Sequence, residues 1–220
     1  MKIVAIIPIK KKSERVKNKN FLKINNKPLF QYLLEKVKKC DFDEIYVDSD
    51  SEIIKNYCIK KKIKFIPRLP RLSTNDANGN HLLLHHQKII KADLYFQLFV
   101  TSPLIKIKTI NNCIKILKNN KKIDSIFTAQ EIYSWFWFDK KPVNYNPKTL
   151  PRSQDAKPII QETTGLYGIR SKILKKRKSR IGLKPFFYKV SAEEVIDLDN
   201  LKDFDYLKYY VSKNRYSSKR

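Results

Sequence analysis

Glycine is scarce here: the 220 residues include only four. A loop that wraps a phosphate with bare backbone usually spends several glycines, because glycine alone turns left-handed and approaches a ligand without steric cost. Neither GxxxxGK nor GxGxxG occurs anywhere, which excludes the P-loop and the dinucleotide fingerprint. Cysteine is equally thin. Cys40, Cys58 and Cys113 are odd in number, widely spaced and set in apolar helical contexts, matching no CxxC pattern. They read as buried free thiols. No apolar stretch approaches the roughly 20 residues of a membrane span, so no membrane partner is expected. The apolar run at 3–9 is followed at once by Lys10, Lys11 and Lys12, the reverse of a signal peptide's order. A cytoplasmic, reducing setting is expected.

Acidic residues are the other shortage, 21 against 47 basic ones, for a net charge of +26. Such a balance suggests nucleic acid, since clustered cations release counterions from phosphates. Only nine of the basic residues are Arg, however, and readers of base edges favour Arg over Lys. Lys, Ile and Asn are frequent throughout, including on ordinary solvated helix faces. A compositional bias therefore explains most of the charge, and nucleic acid is not the expected partner.

What is present is alternation. Residues 3–9 (IVAIIPI) form an unbroken apolar run with β-branched members, the pattern of a central parallel strand buried on both faces. Pro28 starts a helix whose stripe is Phe30, Leu33, Leu34 and Val37. Strands at 44–48, 64–67, 94–100 and 125–130 alternate with helices near 51–62, 80–91 and 110–117. Strands at 166–169 and 186–190 follow, then a helix from Asp203 with a basic tail expected to fray. The whole predicts one α/β domain over 1–220, a doubly wound, mostly parallel, Rossmann-like sheet. Between 131 and 160 the regularity fails. Tyr133, Trp135, Phe136, Trp137 and Phe138 precede a proline-rich stretch, which reads as a dimerisation arm or as a hairpin over the domain's own core.

Ligands of such sheets bind beyond the carboxyl ends of the strands, so the loops after the first, third and fourth strands are the places to look. The first, PIKKKSERVKNKNF, gathers Lys10, Lys11, Lys12, Arg15, Lys17 and Lys19 with Ser13 and Asn20. That set would hold a triphosphate well, though a solvated charge run has the same pattern. Asp197 and Asp199 flank Leu198 and share a face if the segment is extended. Paired hard carboxylates suit a divalent cation; Asp199, Asn200 and Asp203 equally suit helix caps. His81, His85 and His86 lie at helical spacing without nearby Cys or Glu and read as a helix surface or partner contact.

Five separated motifs, in order and over nearly the whole chain, make it resemble the acylneuraminate cytidylyltransferase family, whose members make CMP-activated sialic, legionaminic, pseudaminic and deoxyoctulosonic acids. The family's P-A-R-x-x-S-K-R opening followed by K-N is similar to Pro8–Arg15 with Lys19 and Asn20; its R-P-x-x-L-A-x-D-x-A stretch is similar to residues 68–77; its T-S-P-L is matched at 101–104. Its R-x-Q and E-N-G-x-x-Y segments resemble Arg152, Gln154 and ETTGLYGI, and its D-I-D-T-x-x-D resembles Asp197 to Asp203.

The resemblance implies a nucleotidyltransferase that passes CMP from CTP to the anomeric hydroxyl of a sialic acid-like sugar acid and releases pyrophosphate. By the same resemblance Lys10, Ser13, Arg15 and Lys19 contact the triphosphate, Asn20 the nucleoside, and Arg68 with the backbone around Ala77 the pyrimidine. Thr101, Ser102, Arg152, Gln154 and Tyr167 would meet the sugar acid. Asp197 and Asp199 would hold Mg²⁺ or Mn²⁺, with Lys19, Arg15 and Asp199 the catalytic set, in a homodimer. The chain departs from the pattern at Lys10 for Arg, Glu14 for Lys, Phe99 for Gln and Thr164 for Asn. Those departures leave open another sugar acid such as deoxyoctulosonate; a non-catalytic basic nucleic-acid-binding α/β protein is the alternative from another class.

Overall fold

The computed structural model describes residues 1–217, with side chains described through 212. β1 (Ile3–Ile9) is buried along its whole length. Its alternate residues feed two cores: Ile3, Ala5, Ile7 and Ile9 face one side of the sheet, Val4 and Ile6 the other. That two-sided burial is why the run is apolar without alternation.

The chain then forms a hairpin, β2 (Lys23–Ile24) and β3 (Lys27–Pro28), before helix α1 (Leu29–Val37). Asn25 and Asn26 adopt φ of 50° and 61° in its turn. Asparagine thus takes the left-handed positions that a glycine-poor chain must still fill. β4 (Glu44–Ser49), α2 (Glu52–Lys61), β5 (Lys64–Pro67), α3 (Gly79–Ile89), β6 (Leu94–Leu98), α4 (Ile107–Asn119) and β7 (Ser125–Ile132) follow within a few residues of the expected bounds. α1, α2 and α4 pack on one face of the sheet through Leu33, Cys58 and Ile114, while Leu83 of α3 packs on the other.

Beyond β7 the sequence reading needs correction. The stretch 131–160 contains the tiny hairpin of β8 (Trp137–Phe138) and β9 (Lys141–Pro142), but its end belongs to a long strand, β10 (Ile159–Arg170), of which only 166–169 was expected. β10 runs antiparallel between β6 and β7 with an irregularity between Glu162 and Tyr167. Its exposed first half masks the apolar signal. A helix that the periodicity does not announce, α5 (Ser171–Arg177), follows, then β11 (Pro185–Lys189) and α6 (Leu201–Ser217). α6 begins two residues before Asp203, whose carboxylate accepts the Asp199 and Asn200 amides at 2.8 Å each. The basic tail expected to fray lies outside the described residues.

The seven-stranded sheet has the order β11-β7-β10-β6-β1-β4-β5, parallel except at β10. The chain leaves β1 toward β4 and β5, then returns to the opposite side of β1 as β6. The strand order therefore reverses at β1 and opens a crevice beyond its carboxyl end. The arm's aromatics do not cover the core: Trp137 and Phe138 are 58% and 79% exposed, and Trp137 Nε1 donates to Tyr145 within the arm. Among the described residues no helix is long and apolar enough to cross a membrane.

Candidate active site

A cleft of about 500 Å³ lies at that crevice, within the range of small-molecule sites. Its walls come from the loop after β1, the segment after β5, the turn after β6 and Asp199 before α6. These are the loops singled out from the sequence.

The β1 loop turns without glycine by placing Asn18 at φ 54°. Buried Asn20 closes it, donating from Nδ2 to the Lys10 carbonyl at 2.8 Å. Lys10, Lys12, Ser13, Arg15 and Lys19 all reach the cleft. Lys10 Nζ also donates to Asn75 Oδ1 at 3.0 Å, and Asn75 Nδ2 in turn donates to Glu14. The acidic departure Glu14 thus ties the basic loop to the segment that follows β5.

Asp199 answers these cations. Its Oδ1 lies 2.9 Å from Arg15 Nη1 and 3.7 Å from Lys19 Nζ, and Lys19 also donates to the Leu198 carbonyl at 3.0 Å. Leu198 is fully buried among Leu29, Leu104 and Leu207, and its amide donates to the Thr101 carbonyl at 2.9 Å. Asp197, on the other flank, accepts from Ser102 Oγ at 3.1 Å. The two carboxylates therefore have different partners. Asn200 and Asp203 do the capping, so Asp199 is left to the cleft. Asp199 lines the cleft and Asp197 does not; a hard oxygen donor on a polycationic wall would suit a divalent cation that completes its shell with ligand phosphate and water. Among the described residues no group of three or more His, Cys, Asp or Glu could make an all-protein metal cage.

On the β5 side, Arg68 sits 9% exposed on the cleft wall. Its Nε donates to the carboxylate of Asp48, and its Nη2 donates to the Asp48 carbonyl at 3.1 Å. Asp48 lies near the end of β4, is fully buried, and receives His86 Nε2 on its other oxygen at 2.6 Å. Burial alone would push the Asp48 carboxyl up, but the His86 bond and the Arg68 charge more than offset it and hold it below the usual range. The reading of the three histidines as a helix surface thus fails for His86, which is wholly buried; His81 closes a capping box with Asn78 at the start of α3, where Ala77, Asn78 and Gly79 line the cleft.

The remaining expected residues divide. Thr101 lines the cleft, whereas Ser102 and Tyr167 are buried and do not line it. Tyr167 is 2% exposed on β10, its hydroxyl donating to Glu162 at 2.9 Å; burial pushes this phenol up and keeps it protonated. Arg152 and Gln154 are exposed on the arm and do not line the cleft; Arg152 pairs instead with Asp155 at 2.7 Å. Three groups near the site escaped the sequence reading. Asp48 and His86 form the support of Arg68. Lys36, from α1, donates to the Pro103 and Ile105 carbonyls at 2.6 and 2.9 Å, and burial pushes its amine down to about 8. Arg180, from the loop after α5, lies with its guanidinium carbon 3.5 Å from the Tyr167 ring centroid. A lone acid or base at a strand end was the one signal available for Asp48; Lys36 and Arg180 had none.

The fold and the cleft define a doubly wound α/β protein with a polycationic site for a phosphorylated ligand. The profile of the Cytidylyltransferase family matches residues 4–215, and the chain belongs to that family. It is 23% identical over 214 residues to "Pseudaminic acid cytidylyltransferase and UDP-2,4-diacetamido-2,4,6-trideoxy-beta-L-altropyranose hydrolase" of Helicobacter pylori, covering 93% of this chain and 41% of that protein. It is 24% identical over 238 residues to the pseudaminic acid cytidylyltransferase of Campylobacter jejuni, covering 99% of this chain and all of the other. The chain spans about half the length of several other curated relatives it matches. In fold it resembles a CMP:2-keto-3-deoxy-manno-octonic acid synthetase solved with CTP, with a TM-score of 0.74 at 16% identity over 97% of this chain and 100% of that one.

Proposed function

We propose that this protein transfers CMP from CTP to the anomeric hydroxyl of a sialic acid-like sugar acid. The hydroxyl oxygen forms the new bond to the α-phosphorus, the bond to the β-phosphate oxygen breaks, pyrophosphate leaves, and the hydroxyl proton is lost to solvent. The observation that carries the reading is the cleft wall: Lys10, Lys12, Ser13, Arg15 and Lys19 converge there, where they can neutralise a triphosphate and steady the departing pyrophosphate. Asp197 and Asp199 would hold Mg²⁺ or Mn²⁺, which would supply charge neutralisation at the transferring phosphate. Arg68, fixed by Asp48, and the backbone near Ala77 are suited to the base. The exposed aromatics of the arm support a contact between two copies of the chain.

The test is pyrophosphate release from CTP and Mg²⁺ with a panel of N-acetylneuraminate, pseudaminate and 3-deoxy-manno-octulosonate, with ATP, GTP and UTP as controls. Turnover of one acid with CTP alone supports the reading. No turnover of any acid, or equal use of all four nucleotides, defeats it.

A further inference from the structure

Among the described residues Arg180 carries a charge that no carboxylate answers. It is half-buried, yet among the described residues no carboxylate lies within 4 Å of it. Among the described residues its side chain makes one hydrogen bond, a long one of 3.4 Å from Nη1 to Gln97 Oε1. Nε and Nη2, the parallel pair of donors that matches the two oxygens of a carboxylate, have no acceptor among the described residues. A partly desolvated cation without a counter-charge is costly to keep.

The surroundings hold this guanidinium in place. Its face packs on Tyr167 with 3.5 Å between Cζ and the ring centroid, and Phe99 stands perpendicular to Tyr167 with its centroid 5.6 Å from the same carbon. The Arg180 amide donates to Asn80 Oδ1 at 2.9 Å, which fixes the loop to the start of α3. Gln97 is itself fixed, because its Nε2 donates to the Gly79 carbonyl at 3.0 Å and its Oε1 is thereby turned to Arg180. A Cβ at Gly79 would come within 2.5 Å of Nη1, so the guanidinium lies directly against that backbone. Gly79 and Phe99, which flank the guanidinium, both line the cleft.

We propose that Arg180 is the residue that selects the acidic substrate, its Nε and Nη2 edge receiving the carboxylate of the sugar acid at the cleft wall between Gly79 and Phe99. This rests on the cytidylyltransferase reading given above. It divides the site by charge: the triphosphate is held by the β1 loop, and the single carboxylate by a stacked, preorganised arginine. Phe99 and Tyr167 then act as the surface that orients the arginine.

The experiment compares wild type, Arg180→Gln and Arg180→Lys in pyrophosphate release at saturating CTP, using the acid of the panel that wild type turns over and the methyl ester of that same acid. CTP affinity is measured separately by calorimetry, and folding by thermal melting. Arg180→Gln is expected to raise the KM for the free acid by roughly 30-fold or more, as for truncation of one partner of a desolvated charge pair. Its CTP Kd should stay within about twofold, and its preference for acid over ester should disappear. Arg180→Lys should fall between, since it keeps the charge and loses the fork; should Arg180→Gln fail to fold, the lysine variant carries the comparison. An unchanged KM and an unchanged acid-to-ester preference would overturn the role of Arg180 alone, as would a loss that appears equally in CTP affinity. Wild type that binds CTP but turns over no acid would overturn the reading of the reaction and this assignment with it.

Discussion

Replacing Asp48 by asparagine tests the buried support of the cleft. The Asp48 and His86 side chains are fully buried and that of Arg68 is 3% exposed, so the carboxylate and the guanidinium neutralise each other out of reach of water. The Asp48→Asn amide would keep the shape but leave the Arg68 charge uncompensated, a loss of about 3–5 kcal/mol for a broken buried pair. At about 2–4 °C per kcal/mol in a chain of this size, the melting temperature should fall by roughly 6–20 °C. The sign with pH follows from the direction of the shift. The folded-state carboxyl is held below its unfolded value, so its stabilisation is present above the unfolded pKa of about 4 and fades as pH falls through the lower, folded value. Urea unfolding of wild type and variant at pH 7, 5 and 3 should show a gap that is constant between 7 and 5 and smaller at 3. A variant within about 1 kcal/mol of wild type at pH 7, or a gap that grows on acidification, would refute the argument. Because Arg68 stands on the cleft wall, the KM for CTP should rise in the same variant.

Asp199→Asn should lower kcat by about 100-fold or more through loss of a charge-stabilising group, while leaving the melting temperature within a few degrees, because the ion pairs it makes are half-exposed; a kinetic assay with a parallel melt separates the two. Lys36→Met addresses pH from the alkaline side. The buried amine loses its proton from about 8, whereas the unfolded chain holds it to about 10.4, so wild type should gain on the order of 2 kcal/mol between pH 8 and 9.5. Urea midpoints should show no such gain in the variant. Gly168→Ala places a methyl 2.5 Å from Phe96 Cε1 and 2.8 Å from Ile126 Cγ2, inside the packed sheet. Overpacking of this kind costs about 1–3 kcal/mol, which a melting curve would read as a fall of roughly 2–12 °C.

The elements that could be read from sequence were those whose burial is simple. β1 is apolar because both of its faces are covered, and α1 and α4 carry stripes because one face is. β10 was legible only in its last third, since Gln161 and Glu162 are exposed where the strand leaves the core. α5 has seven residues, four of them basic and one buried, too little for a periodic signal. The cleft followed from the alternation of strand and helix, which puts ligands beyond the carboxyl ends of the strands, plus a loop of six cations, both visible in one dimension; the reversal of strand order at β1 came from the fold. Arg152 and Gln154 did not follow: their motif matches, yet within one chain they lie on the arm. His86 misled because helical spacing with His81 and His85 says nothing of which face meets a carboxylate from β4.

Arg180 was invisible for a physical reason. Its position is set by Asn80, Gln97 and Tyr167, which are about 100, 83 and 13 residues away along the chain. Tyr167 stands in a segment that the sequence singles out, but neither Asn80 nor Gln97 does, and nothing local links any of the three to Arg180. The same distance problem was solved before α6, where Leu198 bonds to Thr101 by its amide and to Lys19 by its carbonyl. There the aspartates on either side of it announce the junction. Where a charged ligand meets several charged side chains, composition reveals the site; where it meets one arginine held by neutral groups, only the packing does. On the proposed function the triphosphate would meet a surface of the first kind and the carboxylate of the sugar acid one of the second, so that composition would reveal the nucleotide end and only the fold the acceptor end.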